Sequence, residues 1–182
     1  MKKYRFYLIL MLAGALCIGT SCSDSDGDDE LNKWMVANQV ALNAIKANPE
    51  YKEIKSGGNE ASIYRKILKQ GDGTDSIYYT STVTCYYRGW FVAEYPAYGI
   101  ENGTVFDRQL FDDGAAGSFQ AGGVIGGWKT ALQHMVKGDK WEVWIPYQLA
   151  YGRNGQSSDR GYSIPGYSTL VFEIEVVTVD GK

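Results

Sequence analysis

The chain has 182 residues, 45% of them hydrophobic and 21% charged, with a formal net charge of −3. Length and balance place it among ordinary globular proteins, with room for one domain and its attachments. The acidic balance supplies no footprint for nucleic acid, while 14 tyrosines and 22 glycines suit a β-rich domain with many turns.

Lys2, Lys3 and Arg5 make a positive start, and Phe6–Ile18 is an apolar run too short to span a membrane. This predicts a secretory signal over residues 1–21. Gly19, Thr20 and Ser21 are small and lead into Cys22. The pattern resembles the lipobox of bacterial lipoproteins, with Gly19 where leucine is usual. The resemblance implies that Cys22 is the lipid-bearing first residue of the mature chain. It would hold the protein to a membrane of the bacterial cell envelope, the outer membrane, on its periplasmic or surface face. Several acyl chains anchor stably where one is marginal. An ordinary cleaved signal with an incidental cysteine is the alternative. Cleavage there removes three of the 18 basic residues and none of the 21 acidic ones. Cys85 is then the one thiol beyond the lipid site, so no internal disulfide staples the fold.

Ser23–Glu30, SDSDGDDE, has five acidic residues and no apolar one. With Cys22 it is expected to be a solvated tether over residues 22–30. Leu31, Trp34, Ala37, Ala41 and Ile45 recur at helical spacing and predict a helix over Leu31–Ala47. Asn48-Pro49 ends it, because the residue before proline is pushed out of the α region. The helix and the linker after it occupy residues 31–58. Its single apolar stripe could dock on the main domain or pair with a second copy, and the oligomeric state stays open.

Ser56-Gly57-Gly58-Asn59 opens the main domain, residues 59–182, and the pattern changes to period 2. Strands are predicted over Ile63–Lys69, Ser76–Trp90, Gly103–Phe111, Lys140–Ile145 and Leu170–Val179. Phe91–Asn102, Asp112–Ser118 and Tyr147–Tyr167 read as loops. One short helix follows Gly122–Gly127 and ends near Gly138, a C-cap after Lys137. Its stripe of Trp128, Leu132 and Met135 can cover the apolar face of a sheet. Strands joined by turns, without βαβ alternation, argue for an antiparallel α+β domain.

The stretch Gly122–Met135, GGVIGGWKTALQHM, is a glycine-rich loop running into a helix. Such loops offer backbone N–H groups to an anion or a carbonyl. Val124, Ile125 and Trp128 make this one oily, and it lacks the Lys-Ser/Thr ending of a phosphate loop. His134 is the only histidine, without a Cys or His at ligand spacing, so neither a metal site nor a nucleophile motif is expected. What is enriched is aromatic residues beside glycines: Tyr87 near Gly89, Phe106 after Gly103, Trp128 after Gly127, Tyr151 before Gly152. A pocket so lined would be concave and mostly apolar, with a few orienting polar groups.

These residues resemble the FKBP-type peptidyl-prolyl cis-trans isomerases. The resemblance rests on Tyr87-Arg88-Gly89, Asn102-Gly103-Thr104-Val105-Phe106-Asp107, Val124-Ile125-Gly126-Gly127-Trp128, Leu149-Ala150-Tyr151-Gly152, and Ser163-Ile164-Pro165 leading to Ser168-Thr169-Leu170-Val171-Phe172. They stand in family order across roughly Ala61 to Val179. The family implies a five- to six-stranded antiparallel sheet curled around one short helix, here with an N-terminal helical extension. It implies Trp128 as the pocket floor and Tyr87, Phe106, Val124, Ile125, Ile164 and Phe172 as walls, with Phe119 near a further wall. The Ile125 N–H and the Tyr151 hydroxyl would donate to substrate carbonyls, and Asp107 would be the polar group beside Tyr87. Partners so implied are proline-containing polypeptides and a macrolide inhibitor, with no cofactor. The chain departs from the family in its long Phe91–Glu101 connection and in Arg108, which stands out of register for an arginine paired with Asp107. The expected activity is X–Pro isomerisation in exported proteins. The alternative is a proline-segment binding module or chaperone that uses the same pocket with little turnover.

Overall fold

The structure is a computed structural model that describes residues 25–58, 61–157 and 162–180. The expected signal segment and Cys22 lie outside the described residues. The chain runs α1 (Ser25–Lys46), β1 (Lys52–Lys55), β2 (Ser62–Lys69), β3 (Thr82–Phe91), β4 (Val105–Gln109), β5 (Gly117–Gln120), α2 (Gly126–Leu132), β6 (Lys140–Ile145) and β7 (Leu170–Asp180).

All strand pairings are antiparallel, in the order β1-β2-β6-β7-β3-β4, with β5 also on β3. One edge of β3 is therefore shared. Its first half, Thr82–Cys85, pairs with β5, and its second half, Tyr87–Trp90, with β4. Alternation in the sequence sets the faces: Val83, Cys85 and Phe91 of β3, Trp141, Val143 and Ile145 of β6, and Ile174 of β7 are buried together. The short helix α2 lies against this face. Gly127 makes the approach close, since a Cβ there would stand 2.3 Å from Ile145 Cγ2.

The antiparallel sheet with one short internal helix is the fold class expected from the sequence. Among the described residues its strands number seven instead of five or six, and several bounds shift. β1 and β5 arise in stretches without a periodic signal. β3 begins at Thr82 because Ser81 turns the chain before it: the Tyr78 N–H donates to Ser81 Oγ, and the Ser81 N–H to the Tyr78 carbonyl. α2 ends at Leu132, and separate turns carry His134 and Met135 to Gly138, whose φ of +85° closes the last one. There the buried Asp139 carboxylate accepts the Gly71 and Val136 N–H groups at 2.7 and 2.9 Å, tying the segment before β3 to the turn before β6.

α1 starts at Ser25, so residues 25–30 form its first turns instead of an irregular tether. The acidic run suits that place, because carboxylates at a helix N-terminus complement its dipole. The buried stripe is Trp34, Asn38 and Leu42, with Leu31, Ala37 and Ile45 beside it, and it docks on the same chain. Trp34 stacks on Tyr95 at 5.2 Å and meets the edge of Phe91 at 5.9 Å. Tyr95 belongs to the long connection after β3, which folds into a small unit pinned by the Tyr95–Ile100 bridge. That connection is thus a dock for α1, and none of its residues lines the cavity described next. Among the described residues no helix is long and apolar enough to cross a membrane.

Candidate active site

A cavity of about 500 Å³ opens between α2 and the concave face of the sheet. Its floor is Trp128, which α2 presents in its first turn directly after Gly127 and which is 4% exposed. Three rings meet the indole: Tyr87 from β3 at 5.3 Å, Phe172 from β7 at 5.4 Å and Phe119 from β5 at 5.5 Å. Phe106 from β4 stands edge-on to Phe172 at 5.5 Å. Tyr87 and Phe172 meet the indole edge-to-face and Phe119 meets it tilted at 59°, and edge-to-face packing at these distances is favourable for aromatic quadrupoles.

The register explains how the rings come together. Gly89 of β3 faces Phe172 on one side and Asp107 on the other. Lacking a side chain, Gly89 leaves the space into which Phe106 and Phe172 lean; a Cβ there would stand 2.7 and 2.6 Å from their ring carbons. Gly117 does the same for Phe119, with ring carbons 2.9 Å away.

The polar groups are few. Tyr87 donates its hydroxyl to Asp107 Oδ2 at 3.0 Å. Burial and the neighbouring Asp107 carboxylate push the Tyr87 phenol well above its ordinary value, and the same two causes raise Tyr151. Both hydroxyls therefore remain protonated donors throughout the physiological range. Ile125 is the N-cap of α2, where the first backbone N–H groups lie outside the intrahelical ladder. Arg108 pairs with Asp113 at 3.3 Å and lies opposite Arg88 in the sheet, so Asp107 takes its hydrogen bond from Tyr87. Among the described residues no three His, Cys, Asp or Glu side chains gather as metal ligands. His134 stands in the turn after α2, its Nδ1 2.8 Å from the Thr130 carbonyl. Cys85 is buried in the core, and burial raises its thiol to about 12.

All ten residues singled out from the sequence as site or wall residues line this one cavity: Tyr87, Phe106, Asp107, Ile125, Trp128 and Tyr151, with Val124, Phe119, Ile164 and Phe172. Cys22 is outside the described residues. Sequence reasoning missed Gly123, Gln156 and Tyr162, which complete the lining. Gln156 and Tyr162 belong to the loop between Tyr151 and β7. That loop folds on itself through paired backbone bonds of 2.8 Å between Gln156 and Ile164. No local pattern marks Gln156; Tyr162, an aromatic two residues before Ile164, was the available signal.

Residues 74–177 match the protein family described as FKBP-type peptidyl-prolyl cis-trans isomerase. The chain is 38% identical over 127 residues to the FKBP-type 22 kDa peptidyl-prolyl cis-trans isomerase of Escherichia coli, covering 69% of this chain and 54% of that protein. It is 33% identical over 154 residues to a Legionella longbeachae protein named Outer membrane protein MIP, covering 82% of this chain and 58% of that one. Among solved structures, a peptidyl-prolyl cis-trans isomerase of Pseudomonas syringae aligns with a TM-score of 0.64 at 30% identity, over 82% of this chain and 96% of its own. The chain spans about half the length of the curated relatives it matches.

Proposed function

The chain belongs to the FKBP-type peptidyl-prolyl cis-trans isomerase family, and from that premise we propose that it accelerates the isomerisation of X–Pro bonds in exported polypeptides. The observation that carries the proposal is the aromatic cup itself: an indole floor ringed at 5.3 to 5.5 Å by Tyr87, Phe172 and Phe119, with hydroxyl and N–H donors at its rim.

The uncatalysed reaction is slow because twisting the bond breaks amide resonance, a barrier of about 18–20 kcal/mol. No nucleophile is needed, so the absence of a Ser-His or Cys-His motif from the sequence is no obstacle. The planar amide separates more charge than the twisted one. A pocket that replaces water with the faces of Trp128, Phe106 and Phe172 disfavours the planar form relative to the twisted form. In this reading the proline ring sits on Trp128. The Ile125 N–H donates to a carbonyl beside the proline, and Tyr151 donates its hydroxyl to another. Asp107 orients Tyr87 by accepting its hydroxyl. Each donor is worth most where it meets the twisted geometry better than the planar one. A cavity of about 500 Å³ is ample for a prolyl residue and its neighbours.

Cellular address follows from the N-terminus: a signal over residues 1–21, lipid on Cys22, and retention at the outer membrane. The name of the Legionella relative supports this placement. Substrates would be unfolded or newly exported chains, and a macrolide filling the cup would inhibit. The deciding experiment is a proline-isomerisation assay on the purified protein with X–Pro peptides. Acceleration above the uncatalysed rate is expected. A folded protein that binds the peptides without accelerating them would replace this reading by the binding module or chaperone.

A further inference from the structure

The arm that closes one side of the cup is fastened from behind by α1. Ile164 lines the cavity, and two residues further the Gly166 carbonyl accepts the Trp34 Nε1–H at 3.0 Å. Asn38 lies one turn along the same helix face. Its Oδ1 accepts the Thr169 N–H at 2.7 Å, and its Nδ2 donates to the Trp34 carbonyl at 2.9 Å. Trp34 and Asn38 are each only 1% exposed. A buried amide must satisfy both of its ends or cost more than it contributes. An apolar residue would seal the helix face without that demand, so the asparagine specifies where Thr169 sits.

The arm transmits that placement. Its two limbs cross at glycines, with a Cβ on Gly155 falling 2.0 Å from the Ile164 carbonyl oxygen and one on Gly166 equally close to that of Arg153. Gln156 and Ile164 exchange both backbone bonds beyond the crossing. The crossing and the backbone pair tie Gly166 to Gln156 and Ile164, so a shift at Gly166 is carried to these two cavity-lining residues, beside which Tyr162 also lines the cavity. The floor stands on α2, and the Tyr87–Asp107 pair spans β3 and β4.

We propose that Trp34 and Asn38 are positioning residues for proline recognition: the N-terminal helix holds the arm so that Ile164, Gln156 and Tyr162 close on the substrate. The proposal rests on the isomerase reading of the cup, deepening it by assigning substrate affinity to the helix and the twisting step to the floor.

The test uses the full chain, purified in detergent, with Trp34→Phe and Asn38→Leu. Trp34→Phe keeps an aromatic ring against Tyr95 and Phe91 while removing the N–H together with part of the indole's bulk, and it stands as a second variant should Asn38→Leu fail to fold. Each is expected to raise KM for an X–Pro peptide by about five- to tenfold, the equivalent of one buried hydrogen bond, with kcat little changed. Amide exchange at Gln156, Ile164 and Thr169 should accelerate while that of β6 and β7 stays at the wild-type rate. Wild-type exchange at Gln156 and Ile164 in the folded variants would overturn the proposal. So would an equal rise across β6 and β7, since the helix would then merely stabilise the whole domain. A wild-type protein without turnover would overturn the isomerase reading instead. Peptide affinity and the exchange rates of the same variants would still decide the role of α1.

Discussion

Replacing Gly89 by alanine adds one carbon at the point where the cup is tightest. The new Cβ would lie 2.6 Å from Phe172 Cε1 and 2.7 Å from Phe106 Cζ. Carbon atoms prefer to sit about 3.5–4.0 Å apart, so each ring must retreat by about 1 Å. Gly89 lies in the middle of β3, paired with Asp107 and Phe172, and is not among the residues with positive φ. The perturbation is therefore steric, with no backbone strain added. Overpacking of this kind costs about 1–3 kcal/mol of stability. At about 2–4 °C per kcal/mol for a chain of this size, Tm should fall by roughly 2–12 °C. Turnover should suffer more than stability, because misplacing groups around a reacting centre by about 1 Å can cost on the order of a hundredfold. We expect kcat/KM for an X–Pro peptide to drop by about 10- to 100-fold in a protein still folded at the assay temperature. Combining Gly89→Ala with Phe106→Leu should recover part of the lost Tm, though not of the turnover, because the smaller side chain yields the space but removes a wall of the cup. Turnover within twofold of wild type, with Tm unchanged, would refute the view that Gly89 exists to admit the two rings.

Three further expectations follow from the proposed site, the partly buried tyrosines and the proposed lipid anchor. Asp107→Ala and Trp128→Ala should each lower turnover at least several-fold. In Asp107→Ala, an ultraviolet titration should find the Tyr87 phenol moved down towards its ordinary value, since the carboxylate is one cause of its rise; unchanged turnover in both variants would mean the site is misassigned. Tyr51, Tyr87 and Tyr151 all have raised values in the fold, Tyr51 to about 12 through burial and Glu142. Above pH 10 the unfolded chain therefore releases protons that the fold retains, and unfolding free energy should fall as pH rises from about 10 to 12; a Tm that holds level between pH 9 and 11.5 contradicts this. Cys22→Ala should move the protein from the membrane to the soluble fraction on cell fractionation, and retention in the membrane would remove the lipid-anchor reading.

The site was more legible in the sequence than the fold around it. Lys140–Ile145 announced itself because Trp141, Val143 and Ile145 alternate against polar neighbours, and the strand has those bounds. The cup residues carried motifs with glycines at fixed spacing, and these glycines have steric reasons visible at Gly89 and Gly127. β5 was hidden because four residues of Gly-Ser-Phe-Gln in a turn-rich segment have no period. Its identity comes from pairing with the first half of β3, a contact some 35 residues away. The acidic run at residues 25–30 has the composition of a tether. Its helical state depends on Trp34, Asn38 and Leu42 further along being captured by the domain, which no window over the run itself can register. Gln156 entered the cup for a similar reason, through a bridge to Ile164 formed only once the arm has closed.

The two ends of the sheet bear on what the proposed clients can do to this protein. An unfolded chain offers unpaired backbone, and an open strand edge is a template for it. At one end β1 has four residues, Lys-Glu-Ile-Lys, with Lys52, Glu53 and Lys55 exposed. Short length and lysine are both features that discourage strand addition. At the other end the long edge of β3 is spent on two short partners, β4 and β5, instead of lying open over ten residues. Among the described residues neither end of the sheet offers a long open strand to such chains, which suits a protein whose proposed clients are to be held at the cup and released.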